Sequence, residues 1–274
     1  MGNNNFGKHL TNVYFYEKGS EDDVFKQTCF NRELFILNFL AKNQNPALLS
    51  LYGYRDELNN HFIITKYYPK DLKKHLESEL PISLSSRYLI ILGIAEGMKY
   101  LHSKEIIHRD LKPDNVLIEE NEQGDLNPII CDFSHSRPID KDMTYQNIMG
   151  TLKYIAPEAV VRNYTNKVDV FSFSILFYEI LAWENPYQED ASSFPFYDKV
   201  RFNNHRPKLE RLNINQKIKE FLEKCWDGDP DKRPTFTEIV DKLKSKEFRE
   251  SFQADDQKDR PNTLSKSGRI FGQI

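Results

Sequence analysis

Residues 108–115 read His-Arg-Asp-Leu-Lys-Pro-Asp-Asn, and this polar stretch decides how the rest of the chain is interpreted. Apolar residues stand on both sides of it, which is typical of a loop that leads into a buried strand. Asp132 follows Asn115 by 17 residues, at the end of another apolar run. Asn115 and Asp132 offer the oxygen ligands that Mg²⁺ accepts beside phosphate and water, while Asp110 stays available as a base. The pattern predicts a phosphoryl-transfer site.

The composition excludes several classes of protein. The chain has 274 residues, 38 Lys plus Arg against 41 Asp plus Glu, and a net charge of -3. Such a balance gives no field for capturing nucleic acid or anionic membrane, so we expect neither as a partner. The three cysteines are too few and too widely spaced for a disulfide framework, which favours a reducing, cytoplasmic location. The apolar stretches are too short to cross a bilayer.

Hydrophobic periodicity divides the chain into two lobes and a tail. Strand-like runs at 12–18, 48–54 and 62–66, with a helix expected at 21–42, predict a small α+β lobe over residues 1–68. Helical patterns dominate residues 69–248. Residues 249–274 are polar and charged, and we expect them to be disordered.

Several ordered motifs together resemble the eukaryotic protein kinase family, over about residues 1–248 and most clearly from residue 60. Residues 108–115 are similar to the catalytic loop of that family at its defining positions. Asp132-Phe133-Ser134 stands where the family has Asp-Phe-Gly, and Ala156-Pro157-Glu158 matches Ala-Pro-Glu. The resemblance implies an α+β, two-lobed protein-kinase-like fold. The N-lobe is expected to be small, β-rich and shortened, with one helix, and the C-lobe larger and mainly helical.

The resemblance also assigns roles to the catalytic residues. Asp110 is expected to accept the proton of the substrate hydroxyl, and Lys112 to neutralise charge on the γ-phosphate. Asn115 and Asp132 are the expected Mg²⁺ ligands, with ATP as the phosphate donor. Lys112 and the segment 150–158 resemble serine/threonine kinases, and residues 225–236 resemble their tyrosine-kinase-like branch. We therefore expect Ser and Thr hydroxyls of protein substrates as acceptors, in a signalling role, and we make no prediction of the oligomeric state.

The expected nucleotide contacts lie mostly in the small lobe. Residues 62–68 are expected to supply the strand and hinge beside adenine, with Thr65 as gatekeeper and Tyr67 in the hinge. Leu117 is expected to form the floor under the ring. Lys18 and Glu33, 15 residues apart, are the preferred lysine and helix glutamate pair, and Lys26 stays open as the alternative lysine.

Three stretches depart from the family pattern. Residues 2–9 resemble its Gly-rich loop only with Asn4 and His9 in place of glycine and valine. Ser134 replaces a glycine, which restricts the backbone beside Asp132. Residues 135–149 are the expected activation loop, with Thr144 or Tyr145 as candidate phosphorylation sites. The alternative to an active enzyme is a pseudokinase, which would bind partners or nucleotide without transferring phosphate.

Overall fold

A computed structural model describes residues 11–17, 23–57, 60–77, 82–139, 150–160, 164–187 and 192–256. The small lobe contains an antiparallel sheet of β1 (Thr11–Glu17), β2 (Leu51–Glu57) and β3 (Asn60–Lys66), with β3 in the centre. Helix α1 (Asp23–Ala41) contacts this sheet. Its buried side chains follow helical spacing, which places one apolar face in the core: Phe30, Ile36, Leu37 and Leu40. The predicted helix and the strands predicted at 12–18 and 62–66 are confirmed, whereas the strand predicted at 48–54 lies three residues later, at Leu51–Glu57.

The larger lobe is mainly helical, as predicted. Its centre is α4 (Lys167–Ala182), in which every residue from Val168 to Leu181 is buried. A helix that is buried around its whole circumference has neighbours on all sides. The helices of this lobe are α2 (Leu72–Leu76), α3 (Leu84–Ser103), α4 (Lys167–Ala182), α5 (Phe194–Phe202), α6 (Gln216–Cys225), α7 (Phe236–Lys244) and α8 (Lys246–Asp256).

Short strands set the position of the polar loop 108–115. The loop begins after β5 (Ile106–Ile107) and ends at β6 (Val116–Glu120). Strand β6 pairs with β7 (Leu126–Ile130), and Val116 lies opposite Ile130. This register brings the residues before β6 next to those after β7, which is why Asn115 and Asp132 meet. The remaining strands are β4 (Lys70–Asp71), which pairs with β6, and β8 (Arg137–Pro138), which pairs with β5.

The expected tail boundary at residue 248 is wrong, because it falls inside α8. Phe248 and Phe252 lie one helical turn apart and are each only 1% exposed. The Phe252 ring lies 4.9 Å from that of Tyr88 on α3. The amphipathic spacing of the two phenylalanines therefore extends the folded lobe to Asp256. Residues 257–274 lie outside the described residues.

Some predicted features also lie outside the described residues: the Gly-rich stretch, Lys18, Thr144 and Tyr145. Within the part of the chain that the structure describes, no helix is both long and apolar enough to span a membrane.

Candidate active site

A buried aspartate on α4 holds the polar loop in shape. Asp169 is 0% exposed, and its Oδ1 accepts the Arg109 backbone N–H at 2.8 Å. Its Oδ2 accepts the backbone N–H of His108 at 2.8 Å and Nε2–H of His102 at 2.9 Å. Burial opposes ionisation, but the hydrogen bond from His102, electrostatic interactions with His102 and His108, and the hydrogen bond from the Arg109 backbone outweigh it and lower the pKa of Asp169. The carboxylate therefore fixes the loop just before Asp110.

Asp110 is the centre of a buried hydrogen-bond network. It is 5% exposed, and its Oδ2 lies 3.0 Å from both Nδ2 of Asn115 and Nζ of Lys112. Its Oδ1 accepts the backbone N–H of Thr151 at 3.1 Å. Lys112 Nζ also lies 2.9 Å from Thr151 Oγ1, so one ammonium group bridges the loop and the segment after residue 150. The carboxylate is held by donors on several sides, as a positioned base requires.

The amide of Asn115 is oriented by this network. Its Nδ2 donates to the backbone oxygen of Asp110 at 2.7 Å and to the Asp110 carboxylate at 3.0 Å. Because Nδ2 faces two acceptors, the orientation of the amide is fixed, and its oxygen Oδ1 is an acceptor. Asn115 therefore presents an oxygen of the kind that hard cations prefer.

Asp132 adopts a left-handed backbone conformation, with φ of 61°. Its Oδ1 accepts hydrogen bonds from the Ser134 backbone N–H at 3.2 Å and the Ser134 hydroxyl at 2.5 Å. Among the residues that the structure describes, Oδ2 has no hydrogen-bonding partner. One side of Asp132 is thus fixed by the following turn, and the other side is left for a ligand.

The imidazole of His135 lies beside these carboxylates. One ligand atom from each of Asp110, Asp132 and His135 lies within 4.8 Å of the other two. His135 Nδ1 is 3.1 Å from Ser134 Oγ. Burial lowers the pKa of His135 despite the two nearby carboxylates.

A cleft of about 590 Å³ lies between the two lobes, next to Asn115, Asp132 and His135, whereas Asp110 and Lys112 are not among its lining residues. Asn115, Asp132, Glu33, Tyr67 and Leu117, all candidate site residues from the sequence, line it. Thr65 is 0% exposed at the end of β3 and does not line the cleft among the described residues. The other lining residues are Phe25, Lys26, Cys29, Tyr68, Pro69, Asp71, Lys74, Asp114, Cys131, Ser134 and His135.

Burial controls the ionisation of other groups in this cleft. It raises the pKa of Tyr68 to about 12, with a further contribution from Glu119, so the phenol stays neutral. It also raises the pKa of the Cys29 thiol, although Arg32 opposes the shift. Neither group is therefore prepared as a nucleophile at neutral pH.

The strand register places the lysine candidates. Asn12 of β1 lies opposite Thr65, whereas Glu17, the last residue of β1, lies opposite Asn60 at the far end of β3. Strand β1 carries no lysine. Lys26, on the first turns of α1, is exposed and lines the cleft seven residues before Glu33. Lys18 lies outside the described residues.

Two buried residues outside the cleft support the site. His108 is completely buried and its ring lies 5.6 Å from that of Phe133. Arg233, 1% exposed, binds Glu158 through two hydrogen bonds of 2.6 and 2.8 Å. Neither residue faces the cleft, so both stabilise the fold around the site.

Sequence reasoning missed two supports of the site. Asp169 lies 60 residues from the loop it holds, and a single aspartate at a helix start is usually a solvated capping group. Gly150 has φ of 106°, and a Cβ there would lie 2.8 Å from the Arg109 carbonyl oxygen. The sequence signal for the role of Gly150 was the presence of a glycine next to a polar loop.

The protein kinase domain family matches residues 14–243. Serine/threonine-protein kinase 12 of Arabidopsis thaliana is 34% identical over 237 residues, covering 82% of this chain and 49% of that protein. Serine/threonine-protein kinase VIK of Arabidopsis thaliana is 32% identical over 217 residues, covering 76% and 48%. RGS domain-containing serine/threonine-protein kinase A of Dictyostelium discoideum is 35% identical over 221 residues, covering 79% and 18%. The chain thus spans about half or less of the length of these relatives.

Proposed function

The chain belongs to the protein kinase family, and we propose that it transfers the γ-phosphate of ATP to Ser and Thr hydroxyls of proteins. One observation carries this proposal. The Asp110 carboxylate is fixed by Asn115, Lys112 and Thr151, beside two oxygens, Asn115 Oδ1 and Asp132 Oδ2, that the described residues leave available.

Asp110 acts as the base in this proposal. Its carboxylate accepts the proton of the substrate hydroxyl and orients that oxygen toward the γ-phosphorus. Lys112 lies 3.0 Å from that carboxylate and offsets negative charge that gathers on the transferred phosphate. The anchor at Asp169 keeps the loop in this geometry, so catalysis depends on positioning and on prearranged charge.

The donor set fits Mg²⁺. Asn115 Oδ1 is oriented by two hydrogen bonds of the same amide, and Asp132 Oδ1 is held by Ser134 while Oδ2 faces no described donor. Mg²⁺ is commonly bound by one or two protein oxygens together with phosphates and water. When bound, the ion neutralises charge on the phosphate oxygens.

We assign the nucleotide lysine to Lys26 rather than to Lys18. At about 3.3 Å per strand residue, Glu17 lies roughly 17 Å along β1 from Asn12, the residue opposite Thr65. Lys18 follows Glu17 in the sequence, whereas Lys26 lines the cleft with Glu33. Lys26 on α1 would thus bind the nucleotide in place of the lysine that the family carries on a strand.

The finer assignments belong to the same proposal. The contact of Lys112 with Thr151 Oγ1 supports a Ser/Thr acceptor, because a hydroxyl-bearing residue already lies beside the base. Membership of the tyrosine-kinase-like branch rests on residues 225–236. Three free, buried cysteines are compatible with a cytoplasmic signalling enzyme.

The test compares Asp110→Asn with Asp125→Asn, the same change at an exposed residue between β6 and β7 that does not line the cleft. We expect Mg²⁺ and ATP together to raise the unfolding temperature of all three proteins, and phosphate transfer to a generic protein by the native chain. Asp110→Asn should transfer about 10²–10⁴-fold more slowly, the range for loss of a general base. Asp125→Asn should match the native chain. Nucleotide stabilisation without transfer by the native chain would refute the enzyme and leave the pseudokinase.

The lysine assignment has a separate test. Lys26→Met should weaken ATP binding and lower kcat, because Lys26 lines the cleft together with Glu33. Lys18→Met should do neither, because the register of β1 carries Glu17, the residue before it in the sequence, away from Thr65. The reverse result would return the role to Lys18.

A further inference from the structure

The residue that replaces the family glycine creates a hydrogen-bonded chain of three side chains. Ser134 Oγ lies 2.5 Å from Asp132 Oδ1 and 3.1 Å from His135 Nδ1. A hydroxyl has one proton, and a carboxylate can only accept. Ser134 therefore donates to Asp132, and His135 Nδ1–H must donate to Ser134.

This chain fixes the tautomer of His135. With its proton on Nδ1, the neutral ring carries its lone pair on Nε2. A histidine that binds a metal usually donates its other ring N–H to a nearby acceptor, which orients the ring. Ser134 supplies that acceptor here, and it is itself held by Asp132. Since one ring nitrogen is held by Ser134, the other is available to bind a metal, and the imidazole lies next to two carboxylates.

We propose that Asp110, Asp132 and His135 form a site for a borderline divalent cation such as Zn²⁺, which binds the nucleotide-free protein and inhibits it. Their ligand atoms lie within 4.8 Å of one another. In a zinc site with N and O ligands at about 2.0–2.2 Å, neighbouring ligand atoms lie about 3.4 Å apart. The three side chains would therefore need to close by little more than an ångström.

The ligand atoms of the proposed site distinguish its ion from the catalytic Mg²⁺. Mg²⁺ takes oxygen ligands in near-octahedral geometry, whereas imidazole nitrogen favours Zn²⁺ and similar transition metals. Three protein ligands and one water complete a tetrahedral zinc centre. The Asp110 carboxylate, 3.0 Å from Lys112, would exchange part of that contact for the ion.

Inhibition follows from the identity of the ligands, and this step rests on the proposed function. Asp110 cannot accept a substrate proton while its oxygen is bound to zinc, and Asp132 cannot serve Mg²⁺ and zinc with the same oxygen. Binding of zinc and of the Mg²⁺–ATP pair should therefore be mutually exclusive.

The first experiment measures metal binding without any assay of activity. Co²⁺ is added to the nucleotide-free protein, its visible absorption is recorded, and Zn²⁺ is then used to displace it. We expect His135→Asn to weaken binding at least about tenfold, because the amide can still donate to Ser134 but lacks the Nε2 ligand. His135→Ala and Asp132→Asn should weaken it as well.

Two controls locate the site. His75→Asn changes a histidine on α2 that does not line the cleft, and Cys29→Ser removes a thiol that lines the cleft and interacts electrostatically with Asp132. Both should bind Co²⁺ as the native protein does. Ser134→Gly, which restores the family residue, should weaken binding by releasing the ring. Native-like binding by both His135 variants, or loss of binding in Cys29→Ser, would overturn the proposal.

The second experiment measures Zn²⁺ inhibition of Mg²⁺–ATP-dependent transfer, with each variant compared with its own zinc-free rate. The zinc concentration for half inhibition should rise at least about tenfold in His135→Asn, in line with the binding loss. Equal zinc sensitivity of the native protein and His135→Asn would refute the inhibitory role. If the native protein transfers no phosphate but binds Co²⁺ through His135, the proposed function fails and the metal site stands.

Discussion

The substitution Asp169→Asn tests whether one buried carboxylate holds the catalytic loop. The two oxygens of Asp169 accept the backbone N–H groups of His108 and Arg109, each at 2.8 Å, and the ring of His102. An asparagine has one oxygen and one NH₂ group in the same space. In either orientation of the amide, one of the two backbone N–H groups faces another donor and loses its acceptor.

The magnitude follows from these contacts. A hydrogen bond to a charged group contributes about 1.5–3 kcal/mol, and a buried donor without a partner costs about 1–3 kcal/mol. These two figures partly describe the same effect, so they are not added in full. The remaining hydrogen bonds also lose their charged acceptor, and we therefore expect the free energy of unfolding to fall by about 2–4 kcal/mol. At about 2–4 °C per kcal/mol for a chain of this size, the unfolding temperature should fall by about 5–15 °C.

The assay is thermal unfolding, followed by the transfer rate per folded molecule at a temperature where both proteins are folded. Asp198→Asn, the same change at an exposed position on α5, is the matched control and should shift the unfolding temperature by no more than about 2 °C. Asp169→Asn should also lower the transfer rate, because Asp110 follows the released peptide. A native unfolding temperature and a native rate would show that the loop is held by something else.

Three further predictions follow from the same structure. Gly150→Ala places a Cβ 2.8 Å from the Arg109 carbonyl oxygen at φ of 106°, so it should cost about 1–3 kcal/mol and slow transfer. Gly228→Ala should do neither, because its Cβ would make only an ordinary contact of 3.7 Å with the Asn204 side chain. Phe252→Ala should cost about 3–5 kcal/mol in urea unfolding, against almost nothing for Phe202→Ala, which is 68% exposed. Because folding lowers the pKa of Asp169, its carboxylate stabilises the folded protein fully at pH values above its unfolded pKa near 4. This stability is lost as the pH falls toward the pKa of the folded state. The unfolding temperature should therefore fall below about pH 4, and less steeply in Asp169→Asn.

The sequence predicted the parts of the site whose residues are close together along the chain. Residues 108–115 and Asp132 are joined by a short hairpin, so apolar runs around polar residues were enough to bring Asn115 and Asp132 to one edge. The lobes and the helix α1 followed from periodicity in the same way. The end of the folded region did not, because charged residues dominate the composition after Arg249 and outweighed the spacing of Phe248 and Phe252.

Two features needed the fold itself. Strand register is not encoded by the residues of one strand alone, so only the pairing of β1 with β3 shows which positions lie opposite Thr65. The role of Asp169 depends on α4 passing beneath a loop that is 60 residues earlier in the chain. A lone acidic residue carries no sign of such a partner.

Ser134 departs from the family pattern, and its effect can be understood only from its contacts in the structure. From the sequence, it was expected to restrict the backbone that a glycine would leave free. In the structure, Asp132 takes up the left-handed conformation, and the serine hydroxyl binds the Asp132 carboxylate on one side and the His135 ring on the other. Glycine could form neither bond, so the substitution adds an oriented imidazole to a carboxylate site. The expected effect of Ser134→Gly is therefore weaker binding of transition metals, in addition to any change in backbone mobility.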